Sequence, residues 1–216
     1  MGFFDDAITP PEPPEEEEYE SPEWLGAPSG WVGGVVAVER VIGKSDKAAV
    51  FVTRLSAYPT GFSLVVEALV RSPLDLDGFQ LHQPPGRVVD PVPDSVVRFG
   101  IEYADGRRAS SLGGGSFGGS SRHMYAVDDS APEPDPQRNL YLIERGGGGG
   151  ETESDQDYWV WPLPPEGPVA FVCEWPALGI DETRTEIDAA VIREAADRAQ
   201  EVWPVKRRRF KQPNDD

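Results

Sequence analysis

Alternating apolar and polar positions along the middle of the chain predict a series of antiparallel β-strands. In the segment "FSLVVEALVRS", the positions that share one face are all apolar: Phe62, Leu64, Val66, Ala68 and Val70. Successive side chains of a strand point to opposite faces, so this segment has one apolar face and one mixed face. The preceding segment "AAVFVTRLSA" is also apolar, and "YPTG" between the two supplies turn residues. The two segments therefore predict a β-hairpin.

The same alternation recurs in later segments. In "VVRFGIEYADGRRASSL", Val97, Phe99, Ile101 and Tyr103 alternate with more polar positions. The pair Asp105-Gly106 follows, and such a pair favours a tight hairpin turn because both residues tolerate positive φ. Further strands are predicted in "WVGGVVAVERVI", "NLYLIER", "DYWVWPL" and "PVAFVCEWP", with a last short one in "ETRTEID".

The periodicity changes near the C-terminus. After Asp188, a favourable N-cap residue, the segment "AAVIREAADRAQEVW" places Ile192, Ala195, Ala199 and Val202 at helical spacing. This pattern predicts an amphipathic helix of about four turns that ends at Pro204. Successive hairpins followed by a terminal helix predict a mainly β protein. The predicted fold is an antiparallel β-sandwich of about seven or eight strands with one C-terminal amphipathic helix.

The composition places one domain between two charged tails. The chain has 216 residues, of which 23 are Gly and 22 are Pro. A single β-sandwich domain is predicted over residues 24–204, with Gly/Pro-rich loops at about 73–95, 113–138 and 146–156. Residues 1–23 contain nine carboxylates and no Lys or Arg, which predicts a disordered acidic tail. "KRRRFK" puts five cations into residues 205–216, a basic tail that is also predicted to be disordered.

Charge and cysteine content narrow the function classes. A net charge of −18 argues against nucleic-acid binding through the acidic body. No apolar run approaches the ~20 residues of a membrane span, and the N-terminus lacks the features of a secretory signal, so a cytoplasmic protein without membrane contact is expected. Cys173 is the only cysteine, which excludes an intrachain disulfide. It shares a strand face with Phe171 and Trp175, which predicts an inert core residue.

Signatures of cofactor and metal chemistry are weak. The glycine runs lack the Gly-Lys-Ser/Thr of a phosphate loop, and His82 and His123 lie in separate predicted loops. Glu153, Asp155 and Asp157 do not have the spacing of an EF-hand. No cofactor and no metal are therefore predicted, and a non-catalytic protein is favoured. At the N-terminal tip, Phe3 and Phe4 are candidates for a short docking peptide, although a chance occurrence is the simpler interpretation.

The stretch "GGGGGETESDQDYWVWPLPPEGP" carries the main candidate site. Strand periodicity places Trp159 and Trp161 on one face and Tyr158 on the other. Packing in the core is the favoured interpretation of the two indoles. If they face outward, they form a platform for a protein partner or a sugar.

Two functions follow from this stretch. The first is a binding or adaptor module with a protein partner, whose oligomeric state stays open. Its candidate contact residues are Asp155, Asp157, Tyr158, Trp159, Trp161 and Glu174. The alternative is a hydrolase or a carbohydrate-directed protein in which Asp157 and Glu174, on strands that could be adjacent, act beside the tryptophans.

Four segments resemble a family of uncharacterised actinobacterial proteins. They are "AYPTGF", "RFGIEYADGRRAS", "DQDYWVWPLPPEGPVAFVCEWPALGI" and "EIDAAVIREAADRAQEVW", and the resemblance spans residues 24–203. It implies a cytoplasmic, single-domain, β-rich protein. No activity is attached to the resemblance, so it assigns no catalytic residues.

Overall fold

The computed structural model of the protein describes residues 22–72, 91–112 and 135–204. Most of the described chain forms two antiparallel sheets. The larger sheet contains β2 (Gly34–Val36), β3 (Arg40–Lys44), β4 (Ala48–Ala57), β5 (Phe62–Val70), β8 (Tyr141–Gly149) and β9 (Glu153–Trp161). Its order is β2-β4-β5-β9-β8, and β3 also pairs with β4.

The smaller sheet contains β6 (Arg98–Tyr103), β7 (Arg108–Ser110), β10 (Pro168–Trp175) and β11 (Ile180–Asp188), in the order β11-β10-β6-β7. A separate ribbon pairs β1 (Trp31–Val32) with β12 (Gln200–Glu201). The helix α1 (Ala189–Asp197) follows β11 directly. The predicted mainly β class, with antiparallel sheets and one helix, is confirmed.

The two sheets share one hydrophobic core. The alternating apolar positions of β4 and β5 face it from the larger sheet, while Phe99, Phe171 and Cys173 face it from the smaller one. The ring of Phe99 lies 5.4 Å from the ring of Tyr158 on β9, so aromatic side chains join the two layers. A sandwich of this kind buries the apolar face of each sheet against the other.

Both predicted hairpins are confirmed. β4 and β5 pair antiparallel from Ala48↔Val70 to Ala57↔Phe62, with a bulge between Thr53 and Ser56. β6 and β7 pair across the predicted turn, where Gly106 has φ +86°. That left-handed conformation is the one for which a glycine at this position was expected.

The C-terminal helix begins as predicted and ends early. The Asp188 side chain accepts a hydrogen bond from the Ala190 N–H at 2.9 Å, which caps the helix. The prediction that the helix continues to Pro204 is wrong, because α1 ends at Asp197 and the chain then pairs with β1. The Val202 N–H donates to the Gly30 carbonyl oxygen at 2.8 Å. Pairing of β12 with β1 takes the place of the last two predicted helical turns.

Glycine permits the helix to approach the larger sheet. A Cβ atom at Gly34 would overlap the Ala195 carbonyl oxygen, so β2 and α1 meet backbone to backbone at this point.

None of the described helices is long and apolar enough to cross a membrane.

Two further expectations need correction. The described residues contain twelve strands, more than the predicted seven or eight. The segment "WVGGVVAVERVI" divides into three short strands, and the short strands β7 and β12 add two more. The predicted loop at 146–156 is wrong, since most of it belongs to β8 and β9. Of the other predicted loops, residues 73–90 and 113–134 lie outside the described residues. Residues 1–21 and 205–216 of the predicted tails also lie outside them.

Candidate functional site

Trp159 and Trp161 lie on the outer face of the larger sheet, but neither is a surface residue. Their exposed fractions are 1% and 6%. They form a second hydrophobic cluster with Tyr141, against which Trp24, Tyr58 and Ile143 pack. The favoured interpretation, packing, is therefore confirmed for both indoles. The alternative, an exposed platform, does not hold, because other parts of the chain cover that face.

The cover is a short N-terminal strap, residues 22–26. The Trp24 ring lies 6.1 Å from the ring of Tyr141. The Trp159 Nε1–H donates a hydrogen bond to the Glu23 carbonyl oxygen at 3.0 Å, and Arg145 Nη1 donates to the Leu25 carbonyl oxygen at 2.9 Å. The strap thus satisfies the one polar atom of a buried indole, as buried tryptophans require.

Tyr158 points to the opposite face, as predicted, and lies in the main core. Burial raises its pKa well above the usual value; the nearby Glu144 carboxylate also raises it, and a hydrogen bond with Ser111 acts in the other direction. The prediction that Tyr158 contacts a partner is wrong, because only 1% of its surface is exposed.

The structure separates Asp157 from Glu174. Asp157 lies on β9 of the larger sheet, and Glu174 lies on β10 of the smaller one. On each strand the carboxylate lies on the face that points away from the core. The core therefore lies between the two carboxylates. The Glu174 Oε2 atom accepts from Arg98 at 2.6 Å.

The prediction that β9 and β10 are adjacent is therefore wrong, and the structure does not bring together the carboxylate pair on which the hydrolase and carbohydrate-directed alternatives relied. They required a concave site that joins both residues. The structure has a cleft of about 750 Å³ between α1 and the start of β10, but neither Asp157 nor Glu174 lines it. General acid–base work by the pair is excluded, because it needs both carboxyl groups around one substrate.

Asp155 and Asp157 remain as candidate residues, half-buried on the outer face of β9. Arg54 lies 3.7 Å from Asp155 and 3.1 Å from Glu67. It stands at the bulge of β4 with φ +48°, a conformation uncommon for a side-chain-bearing residue. Asp155 is thus partly neutralised, whereas no cation of the described chain forms an ion pair with Asp157.

The glycine run forms the outer edge of this site. Gly146–Gly149 belong to β8 and pair in register with Asp157, Gln156, Asp155 and Ser154. At Gly147 a Cβ atom would lie 2.5 Å from the Asp155 carbonyl oxygen and 2.9 Å from Gln156 Oε1, so a side chain does not fit. Gln156 is buried and its amide donates to the Gly146 carbonyl oxygen at 2.6 Å. These contacts hold the run as a strand.

Glu144 is a functional candidate that sequence reasoning missed. It stands opposite Tyr158, on the core-facing side of β8, just before a bulge between Glu144 and Gly146. Glu144 is an exposed residue by its surface area, but partial desolvation of its carboxyl group raises its pKa to about 7. The signal available in the sequence was weak, since one glutamate at the end of "NLYLIER" marks a strand end equally well.

Cys173 has the predicted environment. It is fully buried in the main core, and burial followed by the nearby Glu174 charge raises the pKa of its thiol to about 12. A thiol with that pKa is protonated at neutral pH, and only the thiolate is a good nucleophile. The core interpretation is confirmed.

The remaining predictions concern metals and the terminal peptide. The described residues contain no group of three or more His, Cys, Asp or Glu side chains that could hold a metal ion. His82, His123, Phe3 and Phe4 lie outside the described residues.

Comparisons with protein-family models, with curated proteins and with solved structures found no match to this chain. The resemblance to actinobacterial proteins therefore stays a prediction.

Proposed function

We propose that this protein is a non-catalytic binding module that takes up an extended, cationic segment of a protein partner along β8. The observation that carries the proposal is the position of β8. It is the terminal strand of the larger sheet, and among the described residues it pairs only with β9. The proposal keeps the predicted residues Asp155 and Asp157 and leaves the tryptophans out.

The first argument concerns the backbone of β8. In an antiparallel pair, alternate peptide groups of an edge strand point away from the neighbouring strand. Such groups can pair with an added strand, and many peptide-binding domains use this mode. Gly146–Gly149 are exposed and carry no side chains, so no side chain of these four residues stands in the way of an incoming backbone. The edge also lacks proline, which would remove a donor.

The second argument concerns charge. Asp155 and Asp157 flank the glycines on the outer face, and Glu144 adds a carboxyl group on the other face. Arg145, the cation within β8, is already engaged with Leu25 of the strap. The whole chain has a net charge of −18, which steers a cationic partner toward it and slows the approach of an anionic one.

A peptide titration tests this proposal. The probe is a labelled short peptide of alternating lysine and valine, and binding to the full chain is followed by fluorescence anisotropy. We expect saturable binding that weakens as salt rises, because the charges are at the surface. Asp155→Asn/Asp157→Asn should weaken binding about tenfold, the effect of ~1.4 kcal/mol.

Two matched controls make the titration specific for strand addition. The same peptide with an N-methyl group at every residue keeps its charge but loses the hydrogen-bond donors of both edges, and it should not bind. Glu182→Gln/Glu186→Gln removes two carboxylates from β11, in the other sheet, and should leave affinity unchanged. Equal binding of the methylated peptide would contradict strand addition, and an equal loss in the β11 variant would reduce the effect to net charge.

A further inference from the structure

The strap that covers the aromatic cluster has the features of a bound peptide. The groove beneath it is formed by Tyr141, Ile143, Trp159 and Trp161, with Tyr58 at one side. Trp24 packs on Tyr141 at a ring distance of 6.1 Å, and Tyr58 packs edge-on against Trp159 at 5.7 Å. This groove is distinct from the β8 edge, because it is lined by rings and lies on the face of the sheet.

The groove recognises the main chain of the strap as well as its tryptophan. The Trp159 indole N–H and the Arg145 guanidinium each donate to a carbonyl oxygen, those of Glu23 and Leu25. Gly26 passes within 3.4 Å of the Arg145 guanidinium, measured from the position that its Cβ would occupy. The strap itself forms a turn, in which the Leu25 N–H donates to the Pro22 carbonyl oxygen at 2.8 Å. A short segment held by one aromatic anchor and by contacts to its carbonyl groups has the elements of peptide recognition.

The link between the strap and the domain is short and irregular. Residues 27–30, "APSG", separate the strap from β1, and neither the strap nor this hinge belongs to a strand. Gly30 has φ +76°, so the chain changes direction there. Ala27 and Ser29 are exposed. The contacts between the strap and the groove do not involve the hinge. The strap of another molecule can therefore make the same contacts.

We propose that the aromatic groove is a docking site for the sequence Pro22–Gly26 and that a second copy of this chain can fill it by exchange of straps. In the single chain the groove is filled from within, because the hinge gives the strap a high effective concentration. In the exchanged pair each groove holds the partner's strap with the same contacts. Trp24 is the anchor in both arrangements.

Cutting the hinge tests the groove directly. A protease site is inserted between Ala27 and Pro28 of the full chain, which is then cleaved, and a labelled peptide of residues 20–28 is added. We expect saturable uptake of the peptide as it replaces the cleaved strap, and at least a tenfold weaker uptake of the same peptide with Trp24→Ala. Equal uptake of the two peptides, or none by a cleaved protein that circular dichroism shows to be folded, would overturn the groove.

Sedimentation of the uncut chain tests the second copy as the occupant. We expect a dimer whose fraction increases with protein concentration and with salt, because salt screens the repulsion between two chains of net charge −18. Trp24→Ala should abolish this dimer. A chain that stays monomeric at every concentration, or a dimer that survives in the Trp24→Ala variant, would overturn strap exchange.

The two proposals fail independently. Asp155→Asn/Asp157→Asn should weaken binding of the cationic peptide at β8 and leave strap uptake unchanged. Strap uptake that falls equally in that variant would contradict a separate groove.

Discussion

The outer face of β8 and β9 has two halves that differ in chemistry and in cover. In one half, Tyr141, Ile143, Trp159 and Trp161 project from the two strands, and the strap closes over them. In the other half, the same strands carry Gly146–Gly149, Asp155 and Asp157, over which the described chain places no cover. The bulge between Glu144 and Gly146 divides the halves. Backbone pairing continues through both, so the side chains alone decide which half is closed.

The energetic reason is the area that each half can bury. An aromatic side chain buries about 150–250 Å² of surface, enough to repay the ordering of a short strap. Glycine offers no side-chain area, and carboxylates resist burial unless they are paired. The aromatic half is thus completed within the chain, whereas the described chain provides no such cover for the glycine half.

The largest effect is expected where the aromatic half is emptied. Trp159→Ala removes a buried indole and should lower the free energy of unfolding by about 3–5 kcal/mol, the usual cost of such a cavity. Urea denaturation measures it. Trp203 is the matched control, because it is 69% exposed, and Trp203→Ala should change stability by less than about 0.5 kcal/mol. Similar values for the two variants would contradict the buried assignment of Trp159.

The glycine half should respond in a position-specific way. Gly147→Ala places a methyl group against the Asp155 carbonyl oxygen and should destabilise the protein by about 1–3 kcal/mol. At Gly146 the nearest atom to a Cβ is Asp157 Oδ2 at 3.9 Å, and at Gly150 nothing lies within 4 Å. Gly146→Ala and Gly150→Ala should therefore be neutral or stabilise by up to about 1 kcal/mol, through the unfolded state. Thermal denaturation of the three variants checks the pattern, and three equal values would indicate a loop.

These two predictions also show where sequence reasoning succeeds and where it stops. Alternation along the chain placed Phe99, Phe171 and Cys173 in the core correctly, because period-two burial is a local property of a strand. The glycine run carries no side chains and hence no pattern, so it resembled a loop. The contacts that make it a strand, with Gln156 and the Asp155 carbonyl group, depend on pairing with β9.

Sheet assignment was the other limit. Asp157 and Glu174 lie on strands that are consecutive along the chain from β9 to β10, and consecutive strands often pair. Here β9 pairs with β5 and β8, while β10 pairs with β6 and β11. Which strands pair is a long-range property that periodicity does not contain. The shared face of Trp159 and Trp161 was predictable, because alternation along a strand is local. Their cover by residues 22–26 was not predictable, because it is a contact between distant parts of the chain.

An intermediate effect is expected when the strap loses its anchor. Trp24→Ala should cost about 1–2 kcal/mol, less than Trp159→Ala because Trp24 keeps part of its surface in solvent. It should also expose the Trp159 indole N–H, whose hydrogen exchange is measured by NMR. Pro22→Ala leaves the anchor in place and serves as the control. An indole N–H that exchanges equally slowly in both variants would show that the strap does not close the aromatic half.

The smallest effect is a pH dependence at the bulge. The folded protein holds the pKa of Glu144 at about 7, above its ordinary value of 4.5, so the unfolded chain loses this proton first as pH rises. Stability should therefore fall between about pH 4.5 and 7 and stay reduced above that range. Glu144→Gln should remove this slope and raise the melting temperature at pH 8 by about 2–4 °C, after allowance for the part of the residue that solvent reaches. Glu151→Gln, on an exposed turn, should keep the slope.

The most direct test of the open edge is hydrogen exchange at β8 with and without the alternating lysine–valine peptide. Proteolytic fragments that contain residues 146–149 should gain protection when the peptide is bound. Fragments from β3, at the opposite edge of the same sheet, should not change. Protection confined to β8 is the result that strand addition predicts. Binding without protection at β8, or equal protection at both edges, would contradict it.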